Sequence, residues 1–317
     1  MRTRVRDQAT EDRKNGVGVA WTCLLPRHRD FVCRTVCITI LRVTSRQLQV
    51  AFRMCGRLNQ FAKLPALAVA GEPLRVKTRA PKPREDRRSA VRVLNNICPT
   101  DYAEVMRADE AGELVAEPMR FGLIPSWAKG SKADVGRKFL HTFNARCESV
   151  FELASYRSPI LRQRCLVPVR GWHEWPDRRT PYFIHRRDDA PLLLAGLWDT
   201  WESRDSADEA SGPLITSMSV ITTPPGRYMA KFHDRSPLVL EERAALDWLR
   251  PDLTTEHIRG FFQPYDSPAL EAWRVSDAAG RASNKSEAVW APISPPVPHE
   301  GDAPVADENG TPLLNMF

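Results

Sequence analysis

From residue 54 onward, apolar and polar positions alternate in short runs separated by turn residues. A period of two places one set of side chains on each face of a pleated strand. Strands are therefore expected over 91–99, running into a turn, and over 119–127, ending at a proline. Residues 164–175 read as strand, turn, strand, and further strands are expected at 181–184, 192–198, 218–223 and 237–240. Helical spacing is rarer. Val150, Phe151 and Ala154 follow 143–148 at helical intervals. Residues 241–249 predict another helix, with Glu241 and Glu242 at its positive end and Pro251 stopping it. Residues 254–262 predict a last helix, and 58–70 a short first one. The stretches 77–89 and 128–138 are basic and aperiodic, which reads as surface loop. Residues 202–213 are acidic and carry Ser and Gly, as a flexible insertion in a hairpin does.

Many short strands with few helices define a β-rich α+β domain. No repeat, Gly-rich phosphate loop or alternating βαβ pattern is present. The domain is placed at 54–295. A Pro-rich, polar tail begins at Pro292 and is expected to be disordered over 296–317.

Charge changes the picture at the front of the chain. Residues 1–53 carry eleven Lys/Arg, ten of them Arg, against four Asp/Glu, a net of +7. The whole chain is also +7, so residues 54–317 balance 35 basic against 35 acidic groups. The basic character belongs to the leader, and a nucleic-acid partner for the body needs a local basic groove. Residues 1–53 lack the apolar core and cleavage site of a secretory signal. Their acidic residues argue against a transit peptide, and a start codon set upstream of the true one explains them more simply than a basic DNA-contacting arm. At 42% hydrophobic the chain can bury a sizeable core. No apolar run approaches the roughly 18–20 residues of a membrane helix, so a soluble, cytoplasmic protein with no membrane partner is expected. The body cysteines (Cys55, Cys98, Cys147, Cys165) show no C-x-x-C spacing, which predicts reduced thiols, no disulfide framework and no metal site.

The chemistry centres on Met54-Cys55-Gly56-Arg57. With Met54 as the start and removed, Cys55 carries an α-amine and a thiol on adjacent carbons. An aldehyde condenses with the amine to a Schiff base, and the thiol closes on the same carbon as a thiazolidine. An internal cysteine has an amide nitrogen and cannot do this. Three other stretches set reactive groups beside turn residues: Asn144-Ala145-Arg146, Trp172-His173-Glu174-Trp175 and His233-Asp234-Arg235. Singly each also fits a cap, a solvent-facing carboxylate or a surface ion pair. Together they supply a nucleophile, a carboxylate, an imidazole and guanidinium groups.

These stretches, in this order, resemble the SOS-response-associated peptidase (SRAP) family of abasic-site-processing proteins. The likeness runs from Cys55 to about Trp290 and includes 96–100, Trp127 after Ile124-Pro125, and Glu148. It continues through Arg164-Cys165-Leu166, Gly171, 195–198, Thr222-Thr223 and Pro237. The resemblance implies a single domain with barrel-like antiparallel sheets and a few flanking helices. It implies a monomer that binds single-stranded DNA bearing an abasic site and links to it covalently through Cys55, without a cofactor, in the DNA damage and SOS response. By position, Asn144 matches the active-site asparagine, Glu174 the acid/base and His233 the histidine. Gly56, Arg57, Trp127, Arg146, Thr222 and Arg235 fall where the family contacts DNA. Lyase and autopeptidase activities also belong to the implied set.

Those residue types suit those roles. Opening the closed sugar of an abasic site needs proton transfer at the ring oxygen, and an apolar surround favours the protonated form of a carboxylic acid, as a general acid requires. Guanidinium groups pair bidentately with phosphate, and aromatic faces stack on unpaired bases. The chain departs from the family pattern at Ser236, at His173 (usually an aromatic), and at Cys98 and Cys147 (usually small). Residues 1–53, where retained, block the amine. Two rival readings are a thiol or N-terminal-nucleophile peptidase acting through Cys55, His233 and Glu174, and a non-catalytic single-strand binding module.

Overall fold

The computed structural model describes residues 56–63, 68–69, 72–79, 93–203 and 214–300. All of them belong to one compact unit, Ser45–Phe317. In chain order the strands are β1 (Leu58–Asn59), β2 (Ala68–Val69), β3 (Glu72–Pro73), β4 (Lys77–Thr78), β5 (Tyr102–Ala108), β6 (Leu114–Phe121), β7 (Asn144–Arg146) and β8 (Arg164–Val169). There follow β9 (Gly171–Glu174), β10 (Tyr182–Arg186), β11 (Leu192–Glu202), β12 (Leu214–Thr223), β13 (Ser236–Pro237), β14 (Val239–Leu240), β15 (Leu270–Val275) and β16 (Pro292–Pro296). Four short helices flank them: α1 (Lys132–Lys138), α2 (Pro159–Arg162), α3 (Glu242–Trp248) and α4 (Thr255–Gly260).

The strands form two main sheets. The smaller runs β1-β9-β10-β15-β16. The larger runs β13-β12-β11-β8-β5-β6-β4, and a further pairing of β12 with β6 closes its five central strands on themselves. The α+β class and barrel-like character are as expected. The sheets are not wholly antiparallel, however: β6, β7 and β12 meet in parallel, Ser217 opposite Arg120 and Val220 opposite Asn144.

Two buried clusters explain the arrangement. One set of alternate positions (Val105, Met119, Phe121, Val167, Leu194, Met218, Val220) packs with Leu58, Trp172, Ile184 and Leu270 of the smaller sheet. The intervening positions (Met106, Ala116, Leu166, Leu193, Leu197, Ile221) pack with Ile160, Trp248 and Ile258 from the helices. Alternation thus gives the large sheet two apolar faces, one for each neighbour.

Several local expectations are corrected. Residues 58–63 are strand and bend, not helix, because Leu58 pairs with Trp172 on one side and bridges Ile97 on the other. That isolated bridge is all the strand character found in 93–99. Lys77–Thr78 joins the sheet beside β6 instead of looping out; residues 80–90 lie outside the described residues. The strand expected to run to Pro125 stops at Phe121, where Gly122 takes φ +107°, a conformation that strains a residue with a Cβ. Residues 132–138 form a helix, its start capped by the Ser131 side chain. Residues 147–157 form successive turns rather than a helix, and of the three residues at helical spacing Val150 is buried, Phe151 half-buried and Ala154 exposed. Order also continues past Pro292: β16 pairs with β15, Val297 is buried, and the His299 ring stacks 3.9 Å from Tyr228. Residues 301–317 lie outside the described residues.

Candidate active site and nucleic-acid interface

The site starts where β1 lies on β9. Leu58 opposes Trp172 and Asn59 opposes Gly171, and the His173 amide donates to the Arg57 carbonyl at 3.0 Å. Carried one residue further, this register sets Gly56 opposite Glu174. Gly171 lets the strands close: a Cβ there would stand 2.1 Å from the Ile184 carbonyl oxygen. Cys55 itself lies outside the described residues. Gly56 is buried, and so is Glu174, fully.

Arg57 turns its guanidinium into the protein. It is 7% exposed. Nη1 donates to Asn96 Oδ1 (2.8 Å) and the Ala279 carbonyl (3.2 Å), and Nη2 to the Gly280 carbonyl (3.1 Å). Asn96, at φ +49°, in turn donates Nδ2 to the carbonyls of Arg281 and Asn284, and Lys285 Nζ reaches the Asn96 carbonyl at 2.7 Å. The arginine anchors the start of the domain to the 279–285 segment. These contacts give Arg57 an anchoring role within the domain.

His173 points away from this chemistry. Alternation along β9 puts it on the face opposite Trp172 and Glu174. Its Nε2 donates to the Val289 carbonyl at 2.7 Å, which leaves Nδ1 to accept from Asn59 Nδ2 at 3.3 Å. Burial pushes its pKa down to about 4, so the ring is neutral and adds no proton near Glu174. Protonation is favoured in the unfolded chain and not in the folded one. Stability should therefore fall as pH drops from the unfolded value of 6.5 to about 4, by about 3 kcal/mol for a shift of this size. Urea titrations at steps across that window should show the slope, and His173→Phe should flatten it. An equal slope in both proteins would assign the pH dependence elsewhere.

The second part of the site gathers at the end of β12. Thr222 has β7 on one side, opposite Arg146, and β13 on the other, opposite Pro237. Asn144 lies two residues back along the same edge, opposite Val220, and its carbonyl accepts from the Tyr156 hydroxyl at 3.1 Å. Arg146 is exposed. Thr222 is fully buried, and its carbonyl (2.7 Å) and hydroxyl (3.3 Å) hold Arg235 Nη2. The same guanidinium makes a bidentate pair with Glu148, at 2.5 and 2.8 Å.

His233 is half-buried beside this pair. Its Nδ1 accepts from the Arg235 amide at 3.1 Å when neutral and lies 2.6 Å from Asp234 Oδ1, the partner it gains when charged. Burial lowers its pKa, against the opposing pull of Asp234, so the neutral ring is favoured at pH 7. The two parts of the site meet through aromatic rings. Glu174 is opposite Tyr182 across β9–β10, and the Tyr182 ring lies 5.3 Å from that of Phe232, the neighbour of His233.

Trp127 is 51% exposed, an unusual cost for an indole unless its face has a use. Its Nε1 donates to the Ala154 carbonyl (3.1 Å) and its ring meets Phe139 edge-on at 5.8 Å. The turn that carries it is held by Asp199, whose Oδ2 accepts from the Ser126 amide at 2.7 Å, and by Ser217 Oγ, which accepts from the Ile124 amide at 2.8 Å. Asp199 was not among the expected site residues. The signal was available: a carboxylate directly after the apolar run 192–198 on a buried strand asks for a buried partner. Tyr182, Phe232 and Glu148's grip on Arg235 depend on long-range packing, and no local pattern marks them.

Among the described residues, no group of three or more His, Cys, Asp or Glu is placed to hold a metal ion. No described helix is long and apolar enough to cross a membrane. Cys98, Cys147 and Cys165 are buried free thiols, each pushed above the usual thiol range by burial.

A β domain of two main sheets that carries these stretches defines a class that comparison with other proteins identifies. Residues 54–282 match the family model described as SOS response associated peptidase (SRAP), and the chain belongs to that family. Over 196 residues it is 34% identical to the abasic site processing protein YoqW of Bacillus subtilis, covering 60% of this chain and 82% of that one. It is 33% identical over 208 residues to the abasic site processing protein YMR114C of Saccharomyces cerevisiae, covering 62% and 52%. A crystal structure of a Bacteroides thetaiotaomicron protein shares the fold, with a TM-score of 0.54 at 24% identity over 62% of this chain and 82% of that chain.

Proposed function

We propose that this chain processes abasic sites in single-stranded DNA and captures them covalently through Cys55 once Cys55 is the first residue. The observation that carries the reading is the fully buried Glu174 on β9, which the β1–β9 register, carried on from Leu58 opposite Trp172, brings opposite Gly56, the residue that follows Cys55 in sequence. Membership of the family, and relatives named as abasic site processing proteins, support it.

The chemistry divides among the residues as follows. Glu174 protonates the ring oxygen of the abasic sugar as its bond to C1 breaks, and the resulting carboxylate takes up the C1 hydroxyl proton, which frees the aldehyde and restores the acid. The α-amine of Cys55 attacks C1, and loss of one water gives the Schiff base, with Glu174 or His233 supplying the proton to the leaving hydroxyl. The thiol then adds to the same carbon and closes the thiazolidine; the net loss is one water. Neutral His233 serves as a proton carrier. Asn144 holds the amine for attack. Trp127 stacks on an unpaired base, for about 1–3 kcal/mol, and exposed Arg146 meets a phosphate.

Denaturing gels with an abasic oligonucleotide test this. A protein beginning at Cys55 should give a stable slower band. Cys55→Ser keeps the amine but not the thiol, and should give a band only when borohydride traps the Schiff base. A stable band of equal yield from Cys55→Ser would overturn the assignment. Cleavage of a peptide without DNA, lost in the same variant, would favour the peptidase reading instead.

A further inference from the structure

Arg235 stands in the strand-facing cluster, yet every contact that the structure gives its guanidinium is internal. Both terminal nitrogens bind the Glu148 carboxylate, and Nη2 also binds the Thr222 carbonyl and hydroxyl. The side chain of Arg235 is 12% exposed and that of Glu148 is 52% exposed. The carboxylate therefore lies on the solvent side of the guanidinium. Its fork–fork geometry is the one a phosphate would take on the same two nitrogens. The chain path explains the pair. Glu148 follows β7 and Arg235 precedes β13, and these strands flank Thr222 from opposite edges of β12. The ion pair so bridges the end of β12, 87 residues apart in sequence.

We propose that Glu148 is a built-in stand-in for a strand phosphate: it occupies Arg235 in the free protein and yields it when single-stranded DNA binds. The proposal rests on the reading above, that the chain binds a single strand. Two consequences follow from it. Strand binding must displace a carboxylate, which weakens the resting affinity. It also makes Arg235 a contact that forms only after other groups, such as Arg146, have brought a phosphate close. Glu148 would then set the threshold of binding and discriminate against weakly held anions. The Arg235 hydrogen bonds hold the Glu148 carboxyl below the usual carboxylate range, so the stand-in stays charged at neutral pH.

Fluorescence anisotropy with a labelled single strand lacking any abasic site keeps covalent capture out of the measurement. Wild type, Glu148→Gln, Arg235→Ala and the double variant are titrated at several salt concentrations, with melting curves to show that each is folded. Glu148→Gln should bind about fivefold tighter, the size expected for removing one half-exposed competing charge. Its plot of log K against log salt should keep the wild-type slope, because Arg235 meets a phosphate in both complexes, whereas Arg235→Ala should make the slope shallower by about 0.7, the release lost with one phosphate contact on a single strand. In the Arg235→Ala background the same substitution should do nothing. Weaker binding by Glu148→Gln, or a salt slope that Arg235→Ala leaves unchanged, would overturn the proposal; the first result would make Glu148 a positioning residue for Arg235. Should wild type bind no strand at any salt, the strand-binding reading fails, and this inference with it.

Discussion

Glu174→Gln is expected to slow covalent capture of an abasic strand by about 10²- to 10⁴-fold, the usual worth of a positioned general acid or base. Its affinity for the strand should barely change. The two side chains have nearly the same shape, and Gln keeps an oxygen acceptor while losing the transferable proton. Glu174 is fully buried on β9 and opposite Tyr182, whereas the groups assigned to the strand, Trp127 and Arg146, are exposed. Loss of the acid should therefore separate chemistry from binding. Single-turnover capture rates, read on denaturing gels beside anisotropy on an intact strand, give both quantities. A variant that loses affinity as much as rate would make Glu174 a structural carboxylate and leave His233 to carry the proton transfers alone.

The largest effect on stability is expected at Arg164, far from the chemistry. Its guanidinium is buried with no carboxylate bonded to it. Nε donates to the Trp248 carbonyl (2.8 Å), Nη1 to those of Ile160 (2.9 Å) and Leu161 (2.7 Å), and Nη2 to that of Arg250. These oxygens lie in α2 and at the end of α3, among the carbonyls that a short helix cannot satisfy internally. One side chain therefore ties both helices to β8, the central strand that pairs with β5 and β11. Arg164→Met would bury comparable apolar volume but leave four acceptors without this donor. A cost of about 3 kcal/mol or more is expected, because each buried acceptor left unmade costs roughly 1–3 kcal/mol and water can reach some of them. Arg164→Lys, with one compact head in place of a planar fork, should recover only part of it. Urea midpoints for the three proteins decide the matter. A loss under about 1 kcal/mol would show that the helices are held by apolar packing alone.

What could be read from the sequence followed a physical rule. The strands from 164 to 223 were legible because apolar residues recur there at period two between turn residues, and α3 because Glu242 opens it and Pro251 closes the stretch. β5 was not. It carries Glu104 and Arg107, charges that break the apolar alternation, and Arg107 is accommodated by Glu117 on the paired strand β6 (2.5 Å) and by the Trp198 ring (4.7 Å), partners its own run of residues does not show. α1 was read as a loop because only Val135 of its seven residues is buried, too few to make an apolar stripe. β16 was read as disordered because of its prolines. A sheet-edge strand tolerates them, since only one side of its backbone needs a partner. The candidate site shows the same division. Residue types and order single out Glu174, Asn144, His233 and Trp127 as candidates. Burial alone revealed that Arg57 anchors the domain and that Thr222 serves Arg235.

The central claim is that an α-amine and a thiol on one residue, Cys55, capture the aldehyde. Intact-mass spectrometry of protein expressed from its native gene, before and after incubation with an abasic oligonucleotide, tests it most directly. The account predicts a starting mass that begins at Cys55 and a product heavier by the oligonucleotide less one water. A protein that begins at Cys55 and gains no mass, with its abasic partner intact, would contradict the account.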